Sequence, residues 1–214
     1  MKKLSIIVLT SLISLTSFGQ EVDVKAKAIL DKLSAKTKSY STIKAEFQYS
    51  ISNKSEGISE KQTGKIQLKG DHYFLSIQGQ DIMSNGKGIW TVIKESEEIQ
   101  INDMPDEDEE DYISPNNIFT LYEDGFKYKF VKEENGMQII NLYPKAAEEK
   151  SFHRIALYIN KAKNQISKIK VYGKDGSIFT YTIKSFITNQ AIPDSKFTFN
   201  KTKYPGYEII DLRD

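Results

Sequence analysis

Near the start of the chain, apolar residues fall at Val22, Ala26, Ile29, Leu30 and Leu33, a spacing of three and four that places them on one stripe of a helix. Lys25, Lys27, Asp31, Lys32 and Lys36 fill much of the remainder, so the pattern predicts an amphipathic helix over residues 22–35 that must lie on an apolar surface. From about Thr42 the period changes to two. Phe47, Tyr49 and Ile51 alternate with polar residues, as do Ile66 with Leu68, Tyr73 with Leu75 and Ile77, and Ile99 with Ile101. The alternation resumes in Phe126, Tyr128 and Phe130, in Ile155, Leu157 and Ile159, in Phe179, Tyr181 and Ile183, and in Phe197 with Phe199. Turn residues separate these runs: Gly57, Gly70 with Asp71, Asn85 with Gly86, Asn135 with Gly136, and Asp175 with Gly176. Alternating runs joined by such dipeptides predict an antiparallel meander of about ten or eleven strands.

One interruption stands out. Residues 103–111 read DMPDEDEED, and SPNNIFTLYEDGF follows, with Ser114 as an N-cap, Pro115 at the first helical position and an apolar face of Ile118, Phe119 and Tyr122. This predicts a short helix at residues 115–122, inserted between strands. A sheet of this many strands curls rather than staying flat. The expected fold is therefore mainly β with a helical lid (α+β): an unclosed, strongly curved antiparallel β-barrel whose mouth or inner face is covered by the N-terminal and inserted helices. In the hairpin SNGKGIW, Asn85 and Gly86 are expected to take positive φ, with Trp90 on the outgoing strand.

Residues 1–20, MKKLSIIVLTSLISLTSFGQ, have the basic, apolar and small-residue regions of an export leader, with cleavage expected near Gly19 or Gln20. That leaves residues 21–214 as a single domain. Of the 30 Lys and Arg residues, Lys2 and Lys3 leave with the leader, and 29 Asp and Glu oppose the rest. A balance this even gives no support to nucleic-acid binding. There is no cysteine, hence no disulfide or thiolate chemistry.

Candidate chemistry is sparse. His72 and His153 are the only histidines and have no partner at metal-ligand spacing. Asp106, Asp108 and Glu110 alternate as in a calcium loop, but the glycine and the bidentate glutamate of such a loop are missing, so a solvated loop is the simpler reading. No Gly-x-Ser-x-Gly elbow and no phosphate-binding loop occurs, and GKDGS at residues 173–177 reads as a turn. No enzyme activity and no cofactor is expected. The 12 Tyr and 11 Phe either fill an ordinary core or line a cavity for an apolar ligand.

The segment IMSNGKGIW resembles the Ser-Asp-Gly-Lys-x-x-Trp signature of the outer-membrane lipoprotein carrier proteins, the LolA family of Gram-negative bacteria. The order of other pieces fits as well: Phe47-Gln48 in the first strand, Gly64 opening the next, SPNNIF, INLYPK, KDGSIFTYTI and KFTFN. The resemblance covers essentially the whole chain after the leader. It implies a periplasmic monomer whose half-barrel shelters the acyl chains of lipoproteins. Cargo would be taken from an inner-membrane lipoprotein-releasing ABC transporter and delivered to an outer-membrane receptor or membrane acceptor. Two alternatives stay open: carriage or sensing of another amphiphile, such as a glycolipid or a stray lipoprotein, and a periplasmic hydrolase using two carboxylates.

Alternation within this resemblance gives a candidate cavity lining of Phe47, Tyr49, Ile66, Leu68, Tyr73, Leu75, Trp90 and Val92 from strands, with Leu30, Leu33, Ile118 and Phe119 from the lid helices. The family's best-known carriers place an Arg-Pro pair where this chain reads LKGDHY, the arginine holding the lid. Here Lys69 is the nearest cation and the candidate latch, without the planar fork of an arginine.

Overall fold

The computed structural model describes residues 23–77, 79–105, 122–123 and 125–213. The expected export leader, most of the acidic run, and Ile118 and Phe119 with the rest of the predicted inserted helix before Tyr122 lie outside the described residues.

Helix α1 spans Val24–Lys38. It starts two residues later than the apolar spacing suggests because Asp23 caps it, its carboxylate accepting from the Ala26 amide at 2.9 Å. Ala26, Leu30 and Leu33 are buried as the stripe requires, whereas Val24 is 77% exposed.

Twelve strands follow: β1 Ile43–Asn53, β2 Ile58–Lys69, β3 His72–Ile77, β4 Gln80–Ser84, β5 Gly88–Ile93, β6 Glu98–Asp103, β7 Phe126–Glu134, β8 Met137–Pro144, β9 Phe152–Asn160, β10 Gln165–Gly173, β11 Ile178–Thr188 and β12 Glu208–Asp211. They form one sheet in the order β12-β6-β5-β4-β3-β2-β1-β11-β10-β9-β8-β7, so the meander breaks between β6 and β7, which lie toward opposite ends, while β11 returns beside β1 and β12 lies parallel to β6. The ends of the order, β12 and β7, do not pair, which leaves the barrel unclosed.

The count exceeds the expected ten or eleven for local reasons. β12 is a four-residue edge with no alternation to betray it. Phe197 and Phe199, read as a strand from their spacing, instead follow a 3-10 turn at Asp194–Lys196 and belong to a tail that crosses the sheet. The SNGKGIW hairpin differs in one detail. Gly86 has φ +78° but Asn85 is not in the left-handed region. Asn85 instead accepts from the Lys87 amide through its side chain at 3.0 Å, and the Ser84 hydroxyl accepts from the Gly86 amide at 3.1 Å.

Residues opposite one another in an antiparallel ladder share a face, so register sorts every strand residue. We call the face against α1 inner. Here Ala26, Leu30 and Leu33 join Ile140, Leu142, Ile155, Leu157, Ile159, Ile166 and Ile169 in one buried cluster, so α1 lies over β7 to β10. On the outer face, at the other end of the sheet, the tail of residues 189–207 covers β3 to β6. Ile192 and Phe197 are buried there against Phe74, Met83, Val92 and Ile99.

Candidate functional site

The inner face carries apolar rows that run through the whole sheet. In one row Ala45 pairs with Ile66, Ile66 with Leu75, and Leu75 with Ile82. Ile43, Leu68 and Tyr73 form the neighbouring row in the same way and continue to Ser84 and Ile89. These rows make a smaller buried cluster with Tyr40 and Phe186, separate from the cluster under α1. Among the described residues, no helix lies over this half of the inner face, and Ile66, Leu75 and Ile82 are only half-buried.

An aromatic seam joins the two halves. Tyr49 pairs with Tyr181 across β1 and β11, and Tyr181 with Ile169 of β10. The Tyr49 and Tyr181 ring centroids are 5.2 Å apart, with Phe47 6.0 Å from Tyr181 and Phe179 6.4 Å from Tyr49. Burial pushes the Tyr181 phenol up to about 12, and burial together with the nearby Glu60 carboxylate raises that of Tyr49. Both therefore stay neutral, and the seam is apolar apart from its hydroxyl tips. The outer edge of the Phe47 ring lies against Gly64, its cross-strand partner, and a Cβ built on Gly64 would run into that ring. A glycine in mid-strand here serves close aromatic approach.

Beside its buried stripe, α1 is tied down by polar contacts at its rim. The second carboxylate oxygen of Asp23 accepts from the Phe130 amide of β7 at 2.7 Å. At the other end, Glu123 accepts from the Ser34 hydroxyl at 2.8 Å and from Lys38 Nζ at 2.8 Å, while the Tyr122 hydroxyl lies 3.3 Å from Asp31. The Ala26 and Phe130 amides hold the Asp23 carboxyl below its ordinary range, and Lys38 with Ser34 does the same for Glu123.

The structure places Leu30 and Leu33 on α1 and Phe47, Tyr49, Ile66, Leu68, Tyr73 and Leu75 on the inner face of the sheet. It separates Trp90 and Val92 from them. Trp90 pairs with Met83, which pairs with Phe74, so Trp90 lies on the outer face against the tail, and Val92 is buried there. The reason is parity: Tyr73 and Leu75 point inward, and the three-residue turn after Ser84 keeps Ile89, not Trp90, in phase with them. Lys69 is likewise outside, next after inward Leu68, and its Nζ pairs with Asp194 of the tail at 2.6 Å. It anchors the tail and does not touch α1, whose rim contacts run through Asp23, Ser34, Lys38, Tyr122 and Glu123. Sequence reasoning did not single out Ile82, Phe179, Tyr181 and Phe186, which register places on the same inner face, although the alternation of β11 was visible and only its face was not.

Chemistry of other kinds finds little footing. Among the described residues, no group of three His, Cys, Asp or Glu side chains is placed to hold a metal ion. A small cavity of about 130 Å³ sits on the outer face beneath the tail, lined by Phe74, Asp81, Met83, Lys196 and Tyr204 among others. No helix of the described residues is long and apolar enough to cross a membrane.

No curated protein sequence matches this chain. Among solved structures, an uncharacterized conserved protein from Thermus thermophilus is similar at 12% identity and a TM-score of 0.52, over 87% of this chain and 99% of that one. A LolA superfamily protein from Nitrosomonas europaea is similar at 10% identity and a TM-score of 0.45, over 81% and 97%. At such identity the first of these likenesses is one of fold alone. Residues 38–200 match the family model of the outer membrane lipoprotein carrier protein LolA, a span that takes in all but the last of the strands, and the chain belongs to that family.

Proposed function

We propose that this protein is an exported carrier that shelters the acyl chains of lipoproteins against the inner face of its sheet and moves them between the two membranes of the envelope. The observation that carries this reading is the inner face itself, whose apolar rows extend beyond the part that α1 covers. An apolar inner face wider than the stripe of α1 is the surface a carrier of acyl chains requires. Each buried CH₂ is worth ~0.8 kcal/mol, so one acyl chain exposed to water represents on the order of 10 kcal/mol, and a shielding surface of this kind makes transit feasible. α1 is held by its buried apolar stripe and by a few hydrogen bonds at each end, without a covalent cross-link, which suits a cover that opens. The leader at residues 1–20, the acyl cargo, and handover from an inner-membrane ABC transporter to an outer-membrane receptor or membrane acceptor belong to this same reading.

The test is photocrosslinking to a triacylated lipopeptide, with the probe placed at Leu75 on the inner face or at Thr182 on the outer. Adducts at Leu75 and none at Thr182 are expected, together with acylated protein retained in native mass spectra of material purified from the periplasm. Absence of adducts at Leu75, with no acylated species retained, overturns the proposal. Trp90 fluorescence is a poor reporter, because its ring lies on the wrong face.

A further inference from the structure

The outer face of β7 to β11 was absorbed by none of the above, and its composition is unlike the rest of the chain. Register lines up Lys129, Asn141, Ala156, Lys170, Thr180, Ser50 and, on β2, Lys61 in a single row. The next row holds Lys132, Ile139, Tyr158, Lys168 and Thr182. Neither row contains a carboxylate. The acid on this face is Glu134 at the edge, which pairs with Lys132 at 2.7 Å. Lys127, Lys129, Arg154, Lys168 and Lys170 make no ion pair among the described residues. A chain of nearly neutral overall charge thus concentrates uncompensated cations on one face.

Tyrosines stand between these cations. The Arg154 guanidinium lies 3.8 Å from the Tyr172 ring centre, and Lys168 Nζ is 5.1 Å from that of Tyr158.

We propose that this face docks on an anionic lipid bilayer. Lysine stems lying on apolar surface with their heads extended, and tyrosines with an apolar body and a polar tip, are the side chains that settle at a headgroup layer. The centres of protein interfaces are depleted in lysine, which disfavours an acidic protein as the occupant. The lipid phosphates meet the unpaired lysines. Docking through this face leaves α1 and the inner face free, so it holds whether or not the inner face carries lipoprotein.

The experiment is flotation of the purified, leaderless chain with phosphatidylcholine vesicles, with and without phosphatidylglycerol. Binding is expected only with phosphatidylglycerol and falls as salt is added. Each basic residue near such a surface strengthens association about fivefold, so Lys129→Gln with Lys168→Gln and Lys170→Gln weakens binding on the order of 100-fold. A control set, Lys54→Gln with Lys87→Gln and Lys201→Gln, leaves it nearly unchanged. All three substituted lysines sit on the sheet surface without ion pairs, and circular dichroism checks that the fold is kept. Equal binding to both vesicle types, or equal loss in the two triple variants, overturns the proposal. So does a periplasmic acidic protein that crosslinks at Tyr158 while vesicles do not bind. Lipopeptide adducts at Leu75 test the carrier role separately, and neither result decides the other.

Discussion

At the β7 to β10 end of the sheet the cover is inside, where α1 lays Ala26, Leu30 and Leu33 on the inner face. At the β3 to β6 end it is outside, where residues 189–207 lay Ile192 and Phe197 on the outer face. The two covers are built differently. α1 is an amphipathic element held at its rim by Asp23 and Glu123, while the tail is an irregular segment whose aromatic rings interlock with the strands: Phe197 is 0% exposed, and Lys196 Nζ sits 3.3 Å from the Phe74 ring centre. One has the features of a lid and the other those of a staple. The diagonal arrangement leaves two faces without a described cover, one apolar and inner, one basic and outer, and those are where binding is proposed.

The contrast can be broken most sharply at the two anchors. Phe197→Ala is expected to cost about 3–5 kcal/mol and Leu30→Ala about 2–5 kcal/mol, read as lower denaturant midpoints. Hydrogen exchange separates them, with amides of β3 to β6 loosening in the first and those of α1 in the second. If both variants loosen the same amides, the covers are not independent. Gly64→Ala should cost about 1–3 kcal/mol by driving Phe47 off its seat, and it should alter lipopeptide binding because the seam lies on the inner face.

A smaller effect is expected at the cap. Asp23→Ala removes the Ala26 and Phe130 acceptor and costs about 1 kcal/mol. Asp23 and Glu123 both have pKa values lowered in the folded state, so their contribution is complete above the unfolded values and is lost as pH falls through the folded ones. α1 should therefore loosen below about pH 4. Because the chain has no cysteine, a dye on Lys32→Cys reports this directly, and an α1 signal that stays flat well below that pH counts against the rim contacts. Least of all is expected from Lys69→Ala. Its exposed pair with Asp194 is worth at most about 1 kcal/mol, and α1 exchange should not change.

Much of this architecture was legible before any coordinates. The α1 stripe and the strands with clean alternation lie where their periods predicted, because each is exposed on one side and buried on the other. β8 was harder to read. Gln138, Ile139, Ile140, Asn141 and Leu142 are all buried, and the polar pair Gln138 and Asn141 falls on opposite faces, so polarity does not name the outer face. β10 blurs its own period with a bulge between Ile166 and Lys168. Within the candidate site, Phe47, Tyr49, Ile66, Leu68, Tyr73 and Leu75 were legible as one set because they share a phase along consecutive strands. Trp90 was drawn in by a motif, and register put it outside.

What the sequence alone determined is the type of each element and the phase of each strand, because helix and strand periods are local properties of side-chain direction. It also carried the family, through motifs whose order survives. Which face of each strand is inner was decided only in the folded sheet, since a period of two defines two faces and does not name them. The same holds for the tail. Phe197 and Phe199 alternate like a strand, yet they lie across the outer face because β12 joins β6 and draws the chain over β3 to β6, a contact between residues too distant in sequence for any local pattern to encode.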